Sequence, residues 1–326
     1  MKKTIFSGAR PSGQLHIGNY LGAIKNWIEL QQDYFCIYGI VDYHAITTPF
    51  NPKDVKREIF ELALDYLAAG VDPKKSILMV QSYVPEHMEL AWILGTITPV
   101  SWLERVPTYK EKIALHPDYV NLGLLSYPVL MAADILIYKA NAVPVGEDQL
   151  PHVELTREIA RSFNHKFGQT FPEPKSIVGP GARIMSLADP SQKMAKSLGP
   201  NHYIAISDSP ETIKEKLAGA VTDVGDTGAE PKSPGVANLF TLLKLFSEKT
   251  LEKFEKDYQD KKIKYSEVKE VLAKDIANYF SDFRKKRAKL AKNPTGVWKI
   301  LEDGSQKAQA IARKTLQEVK EKVGLR

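Results

Sequence analysis

The first 81 residues alternate between two periodicities, and that alternation leaves few folds open to the chain. Residues 4–8, 35–41 and 76–81 are continuous apolar, β-branched or aromatic runs, the pattern of strands covered on both faces. Between the first two, residues 17–32 carry Leu21, Ile24 and Ile28 at helical spacing. Between the second and third, a helix is predicted with Asn51 as N-cap and Pro52 at the first helical position. It runs through Val55, Ile59, Leu62 and Leu67 and stops at Gly70. Strand, helix, strand, helix, strand predicts an α/β fold: a doubly wound parallel sheet of the Rossmann type with right-handed crossovers. Ligands of such sheets bind beyond the carboxyl ends of the strands, where strand order reverses. The turn after the first strand, residues 9–14, falls there.

Residues 85–140 are rich in helical pattern and aromatics, with Trp92 and Trp102 read as core or subunit contacts. A short strand at 142–145, a turn at Gly146-Glu147-Asp148, an amphipathic helix at 149–163 and a last strand at 183–187 complete the first part. After about residue 206 strand signals stop, and helical patterns occupy roughly 209–218, 236–247, 264–291 and 305–322. These changes predict two domains, 1–205 and 206–326. Residues 225–234 form a Gly/Asp/Pro-rich loop to which no chemistry is assigned.

Two segments stand out from this framework. Arg10-Pro-Ser-Gly-Gln-Leu-His16-Ile-Gly18-Asn19 joins the first strand to the first helix, and Lys193-Met-Ala-Lys196-Ser197 lies between Pro190 and Gly199. A Gly-rich turn opening a helix offers backbone N–H groups and the positive end of the helix dipole to an anion. Two ammonium groups three residues apart suit a polyphosphate on which charge moves between oxygens. Apart, the two segments are weak signals, and the lysines read as ordinary loop charges. In this order and separation they point to nucleotide chemistry.

Composition narrows the setting. The single cysteine, Cys36, excludes an internal disulfide and an all-cysteine metal cage and makes a reducing cytoplasm the expected location. No apolar run reaches the roughly 18 residues of a membrane span, and the N-terminal residues lack the apolar core of a signal peptide. The net charge of +6 permits a nucleic-acid partner. Arg284, Lys285, Lys286, Arg287, Lys289 and Lys292 cluster within nine residues, a pattern that alone is a solvated helix face.

The stretch from Phe6 to Ala23, Val41-Asp-Tyr-His-Ala-Ile-Thr, Tyr127-Pro-Val-Leu-Met-Ala-Ala-Asp134-Ile-Leu-Ile-Tyr, Val143-Pro-Val-Gly146-Glu-Asp-Gln149 and Arg183-Ile-Met-Ser-Leu-Ala-Asp-Pro recur in one family. Together they resemble the tryptophanyl-tRNA synthetase form of the class I aminoacyl-tRNA synthetase motifs, closely over about 1–205 and loosely beyond. The resemblance implies ATP-dependent attachment of L-tryptophan to tRNA(Trp) through tryptophanyl-adenylate, with release of AMP and pyrophosphate. It implies ATP used with Mg2+ but no protein metal cage, a homodimer, and an anticodon-binding role for the helical residues 206–326. Catalytic roles then fall to His16, Asn19, Lys112, Lys193 and Lys196. ATP contacts fall to Arg10, Pro11, Ser12, Gly18, Asn19, Gly146, Glu147, Asp148, Ile184, Lys193, Met194, Ala195, Lys196 and Ser197. Tryptophan contacts fall to Phe6, His44, Tyr127, Met131, Asp134, Val143 and Gln149, with Asp134 accepting the indole N–H. Ala195 departs from the family loop, where serine is usual.

The chemistry of amino-acid activation agrees with these residue types. The attacking carboxylate is already ionised, so alignment and charge stabilisation suffice, without a triad or metal cage. A tyrosyl-tRNA synthetase shares the architecture. A small nucleotidyltransferase has little need of the basic helical region, and a tryptophan-sensing binding protein has little need of the lysine pair.

Overall fold

The computed structural model describes residues 2–179, 184–222 and 231–325. Its sheet contains β1 (Thr4–Ala9), β2 (Phe35–Ile40), β3 (Ser76–Val80), β4 (Ala142–Val145) and β5 (Lys175–Val178), all parallel, in the order β3-β2-β1-β4-β5. From β1 the chain builds outward to β2 and β3, then returns to the other side of β1 for β4 and β5. The reversal therefore lies between β1 and β4, as the doubly wound reading expects. Pro144 has no N–H to give the ladder, and β1 and β4 share a single register pair, Ile5 with Ala142. Ser7 Oγ donates instead to the Pro144 carbonyl at 2.9 Å.

By packing, the chain forms two compact units: Met1–Gly13, Ala23–Gly179 and Leu290–Arg326, and Gln14–Gly22 with Pro180–Lys289. The first holds the sheet, and it also holds the C-terminal helix Pro294–Val323, which lies against β3. Gly304 permits this approach, because a Cβ there would sit 1.9 Å from the Leu78 carbonyl oxygen. Ser305 Oγ accepts from Val80 N at 3.1 Å beside it. The compositional change near residue 206 is thus not where packing divides the chain. Among the described residues of the second unit from Pro210 onward the regular elements are helices, with Tyr265–Tyr279 packed against Pro210–Ala218 and Pro234–Phe246.

Local signals hold where caps are strong. Asn51 accepts from Lys53 N and Gly70 closes the helix Pro52–Ala69 with φ 121°. Ser209 caps Pro210–Ala218 through Thr212 N. Other boundaries differ. The helix expected at 17–32 is Ile17–Asn19, a π-helical turn at Tyr20–Ile24 that contains Gly22, and Lys25–Leu30. The pattern at 264–291 is two helices, Tyr265–Tyr279 and Ser281–Ala291, separated at buried Phe280. Glu248–Gln259 is a further helix, and Pro294–Val323 exceeds the expected 305–322.

The strand expected at 183–187 is corrected. Arg183 lies outside the described residues; Met185 makes one isolated antiparallel bridge, to Lys193. The fifth strand is β5, an edge whose side chains are mostly exposed, so it lacks the apolar run that marks a buried strand. Residues 223–230, most of the loop read at 225–234, also lie outside the described residues.

Candidate active site

In the first unit the site begins at Asp134, on the helix Leu122–Leu136 and 1% exposed. A carboxylate so deep is unstable as an ion unless donors surround it. Three do. His44 Nε2 lies 2.8 Å from Oδ2, His87 Nδ1 lies 2.6 Å from Oδ1, and Gln81 Nε2 reaches Oδ1 at 2.7 Å and Oδ2 at 2.9 Å. Burial pushes the Asp134 pKa up, but hydrogen bonds from His44 and His87 outweigh it and hold the group below the usual carboxylate value. Asp134 is therefore an ionised acceptor whose chain neighbours Ala133 and Ile135 belong to the same buried apolar core as Phe6 and Val143, with Met131 partly buried against that core. Gln81 and His87 carried no signal in the sequence. They become neighbours only through the chain's passage from β3 into the helix Glu86–Gly95.

A second group in the same unit surrounds Tyr127. Its hydroxyl lies 2.5 Å from Thr108 Oγ1 and 2.9 Å from His152 Nε2, and Lys112 Nζ sits 3.8 Å from its ring centroid. Burial, then the charge of Arg10, lowers the Lys112 pKa to about 8. Burial, then Lys112, lowers His152 to about 4, so His152 is neutral. His152 is buried with Nε2 in this network, and its Nδ1 has no hydrogen-bond partner among the described residues. Pro11 is buried and Ser12 exposed, with Ser12 N donating to the Arg10 carbonyl at 2.9 Å. After β4, Gly146 leads into the 3-10 turn Glu147–Gln149. A Cβ at Gly146 would meet Asp148 Oδ1 at 2.8 Å. Asp148 Oδ2 accepts from Gln149 Nε2 at 2.7 Å, so the Gln149 amide is engaged with its neighbour.

The second unit holds the end of the first segment, from Gln14, and the lysine loop. His16 bridges Ala205, Ile17 N donates to the Ile204 carbonyl at 3.0 Å, and Ile206 N donates to the Leu15 carbonyl at 2.9 Å. The lysine loop is tied in turn by Met194 N to the Ile184 carbonyl at 3.0 Å, with Ile184 and Met194 both buried. Ala195 is the N-cap position of the short 3-10 turn Lys196–Leu198 and makes no side-chain cap bond; Ser197 is exposed.

His16 and Asn19 form a reciprocal cap. His16 Nδ1 accepts from Asn19 N and Asn19 Oδ1 accepts from His16 N, both at 3.3 Å. A Cβ on Gly18 would press on the His16 ring at 3.0 Å. Burial, then Lys196 and Lys193, depresses the His16 pKa to about 3. The imidazole is thus neutral, and because Nδ1 accepts, its proton is on Nε2. His16 is an uncharged N–H donor in the electrostatic field of two lysines, a combination suited to phosphate oxygens.

A parallel doubly wound sheet, an N–H donor motif at a helix start and a lysine loop paired with it define the class I tRNA synthetases. The family model for tRNA synthetases class I (W and Y) matches residues 2–281. A tryptophan–tRNA ligase of Clostridium tetani is 44% identical over 326 residues, covering 99% of this chain and 96% of the relative. One from Helicobacter pylori is 41% identical over 99% of both. Among solved structures, a Campylobacter jejuni tryptophanyl-tRNA synthetase complexed with ADP and tryptophan aligns with TM-score 0.86 and 36% identity over 98% of this chain and 99% of that one. The chain belongs to the tryptophan–tRNA ligase family.

Proposed function

We propose that the chain joins L-tryptophan to tRNA(Trp) in two steps. The tryptophan carboxylate attacks the α-phosphorus of ATP, the bond to the bridging oxygen breaks, and pyrophosphate leaves. A hydroxyl of the terminal tRNA ribose then attacks the carbonyl carbon of the adenylate and AMP leaves. The observation that carries the choice of amino acid is Asp134, a buried ionised acceptor whose chain neighbours share an apolar core with Phe6 and Val143. An indole N–H meets it, whereas phenylalanine leaves the charge without that donor. Met131, His44, Tyr127 and Gln149 serve the same substrate.

Arg10, Pro11, Ser12, Gly18, Asn19, Lys112, Gly146, Glu147, Asp148, Ile184, Met194, Ala195 and Ser197 serve ATP. His16 donates through Nε2–H, and Lys193 and Lys196 neutralise charge as it moves onto pyrophosphate. Magnesium arrives with the ATP phosphates as part of that substrate. Among the described residues no helix is long and apolar enough to cross a membrane. The likeness to bacterial tryptophan–tRNA ligases supports a cytoplasmic reaction. The helical residues from 206 onward bind the anticodon arm. A homodimer is supported by large apolar side chains left open in the first unit, Trp92 at 78%, Leu122 at 76% and Leu115 at 72% exposure.

Incubation of the purified chain with Mg-ATP, tryptophan and a tRNA(Trp) transcript, resolved on an acid gel, tests the ligase reading. Esterified tRNA is expected. Adenylate that never reaches the tRNA would contradict it.

A further inference from the structure

We propose that His87 and Tyr138 are positioning residues that set tryptophan specificity through Asp134; the inference rests on Asp134 as the indole acceptor. His87 is 0% and Tyr138 3% exposed. Both ring nitrogens of His87 are engaged, Nδ1 with Asp134 Oδ1 and Nε2 with the Tyr138 hydroxyl, each at 2.6 Å. An ionised carboxylate only accepts, so His87 carries its proton on Nδ1. With that one ring proton, Nε2 is the acceptor of the second bond and Tyr138 O–H its donor. Burial, with Asp134 and Glu86 nearby, keeps the Tyr138 proton in place by raising its pKa far above the ordinary value. A one-way chain results, from Tyr138 O–H to His87 to Asp134. Each member fixes the tautomer or orientation of the next.

Gln81 is fixed by the same logic from another side. Tyr43 N donates to its Oε1 at 3.1 Å, so the amide must present its NH2 to Asp134. Between them, His87 and Gln81 hold the carboxylate plane and leave it unable to turn or to take a proton. The Tyr138 ring also stacks on Phe6 at 5.6 Å between centroids with planes 20° apart. The pair thus fixes both the acceptor and an apolar wall of the proposed pocket. An acceptor held in one orientation discriminates by the direction of the incoming N–H; a free carboxylate does not.

The test uses Tyr138→Phe, which keeps the ring on Phe6 and removes only the O–H. The second variant is His87→Gln, which can leave an N–H on Asp134 but breaks the link to Tyr138. Pyrophosphate exchange is measured with tryptophan and with its benzothienyl analogue, whose ring sulfur replaces the N–H. Wild type should favour tryptophan strongly. In both variants the preference should fall about tenfold, the scale of a weakened hydrogen bond to a charged group. The change should lie in the tryptophan KM, with kcat within about twofold and the ATP KM unmoved. Thermal melts accompany each variant. A purely structural role lowers stability without moving the tryptophan-to-analogue ratio. Variants that keep the wild-type ratio and KM overturn the positioning role while leaving Asp134 as the acceptor. A wild type that does not distinguish the two substrates overturns the acceptor reading itself, and this inference with it.

Discussion

Acidification should destabilise the second unit through His16. The imidazole is 5% exposed, and burial with the Lys196 and Lys193 charges moves its pKa from 6.5 to about 3. Between those values the unfolded chain holds a proton that the folded chain does not. Stability therefore rises with pH across this window: it is fully present above the unfolded pKa and is lost as pH falls toward the folded one. Each pH unit inside the window costs about 1.4 kcal/mol, so the step from about pH 7 to about pH 5 costs about 2 kcal/mol from this residue. His152, depressed to about 4, adds a similar loss in the first unit. Urea unfolding followed by circular dichroism at a series of pH values measures the slope. His16→Gln changes the stability by some constant but removes one titrating group, so its slope should be shallower by about 1.4 kcal/mol per pH unit. A variant with the wild-type slope would refute the claim that His16 is neutral in the fold, and with it the Nε2–H donor role.

Lys196→Ala should slow adenylate formation in single turnover by about 10²-fold, the scale of one preorganised charge contact, while equilibrium dialysis shows tryptophan binding without ATP unchanged; near-normal activation would exclude Lys196 from the chemistry. Replacing Lys285, Lys286 and Lys289 by Glu should weaken tRNA binding and flatten its dependence on salt by nitrocellulose filter assay, with amino-acid activation intact. Arg284 is left out of that set because its guanidinium donates to the Ala277 carbonyl. Gly304→Ala should lower stability by about 3 kcal/mol in urea titrations, since its Cβ would lie 1.9 Å from the Leu78 oxygen and both backbones are fixed; an unchanged midpoint would mean the helix can shift at no cost.

The parallel sheet was legible because four of its strands are apolar runs separated by capped helices: Asn51 and Gly70 mark their helix to the residue. β5 was not, because an exposed edge needs no apolar run, and Lys175 and Ser176 give none. The packing of the C-terminal helix on β3 was equally hidden. Its signal is the absence of a side chain at Gly304, which in sequence looks like a helix-weakening residue. In the candidate site, His16 and Asn19 stand out in the sequence as the ends of one contiguous motif; the reciprocal cap they form came only with the structure. The bridge from His16 to Ala205 and the nearness of the Lys196 and Lys193 charges are long-range relations that no spacing encodes. His87 went unread for the same reason, and Tyr138, which closes the Asp134 motif, was given no role because its partner is His87, 51 residues away.

The central claim is that this chain selects tryptophan through Asp134, and ATP–pyrophosphate exchange with single amino acids measures it. Tryptophan should be the only good substrate of the wild-type protein. Asp134→Ala should reduce discrimination against phenylalanine and tyrosine by about 1–3 kcal/mol, the scale of an unmet buried hydrogen bond. Wild-type exchange that favours tyrosine over tryptophan would contradict the account, as would an Asp134→Ala variant whose selectivity matches that of the wild type.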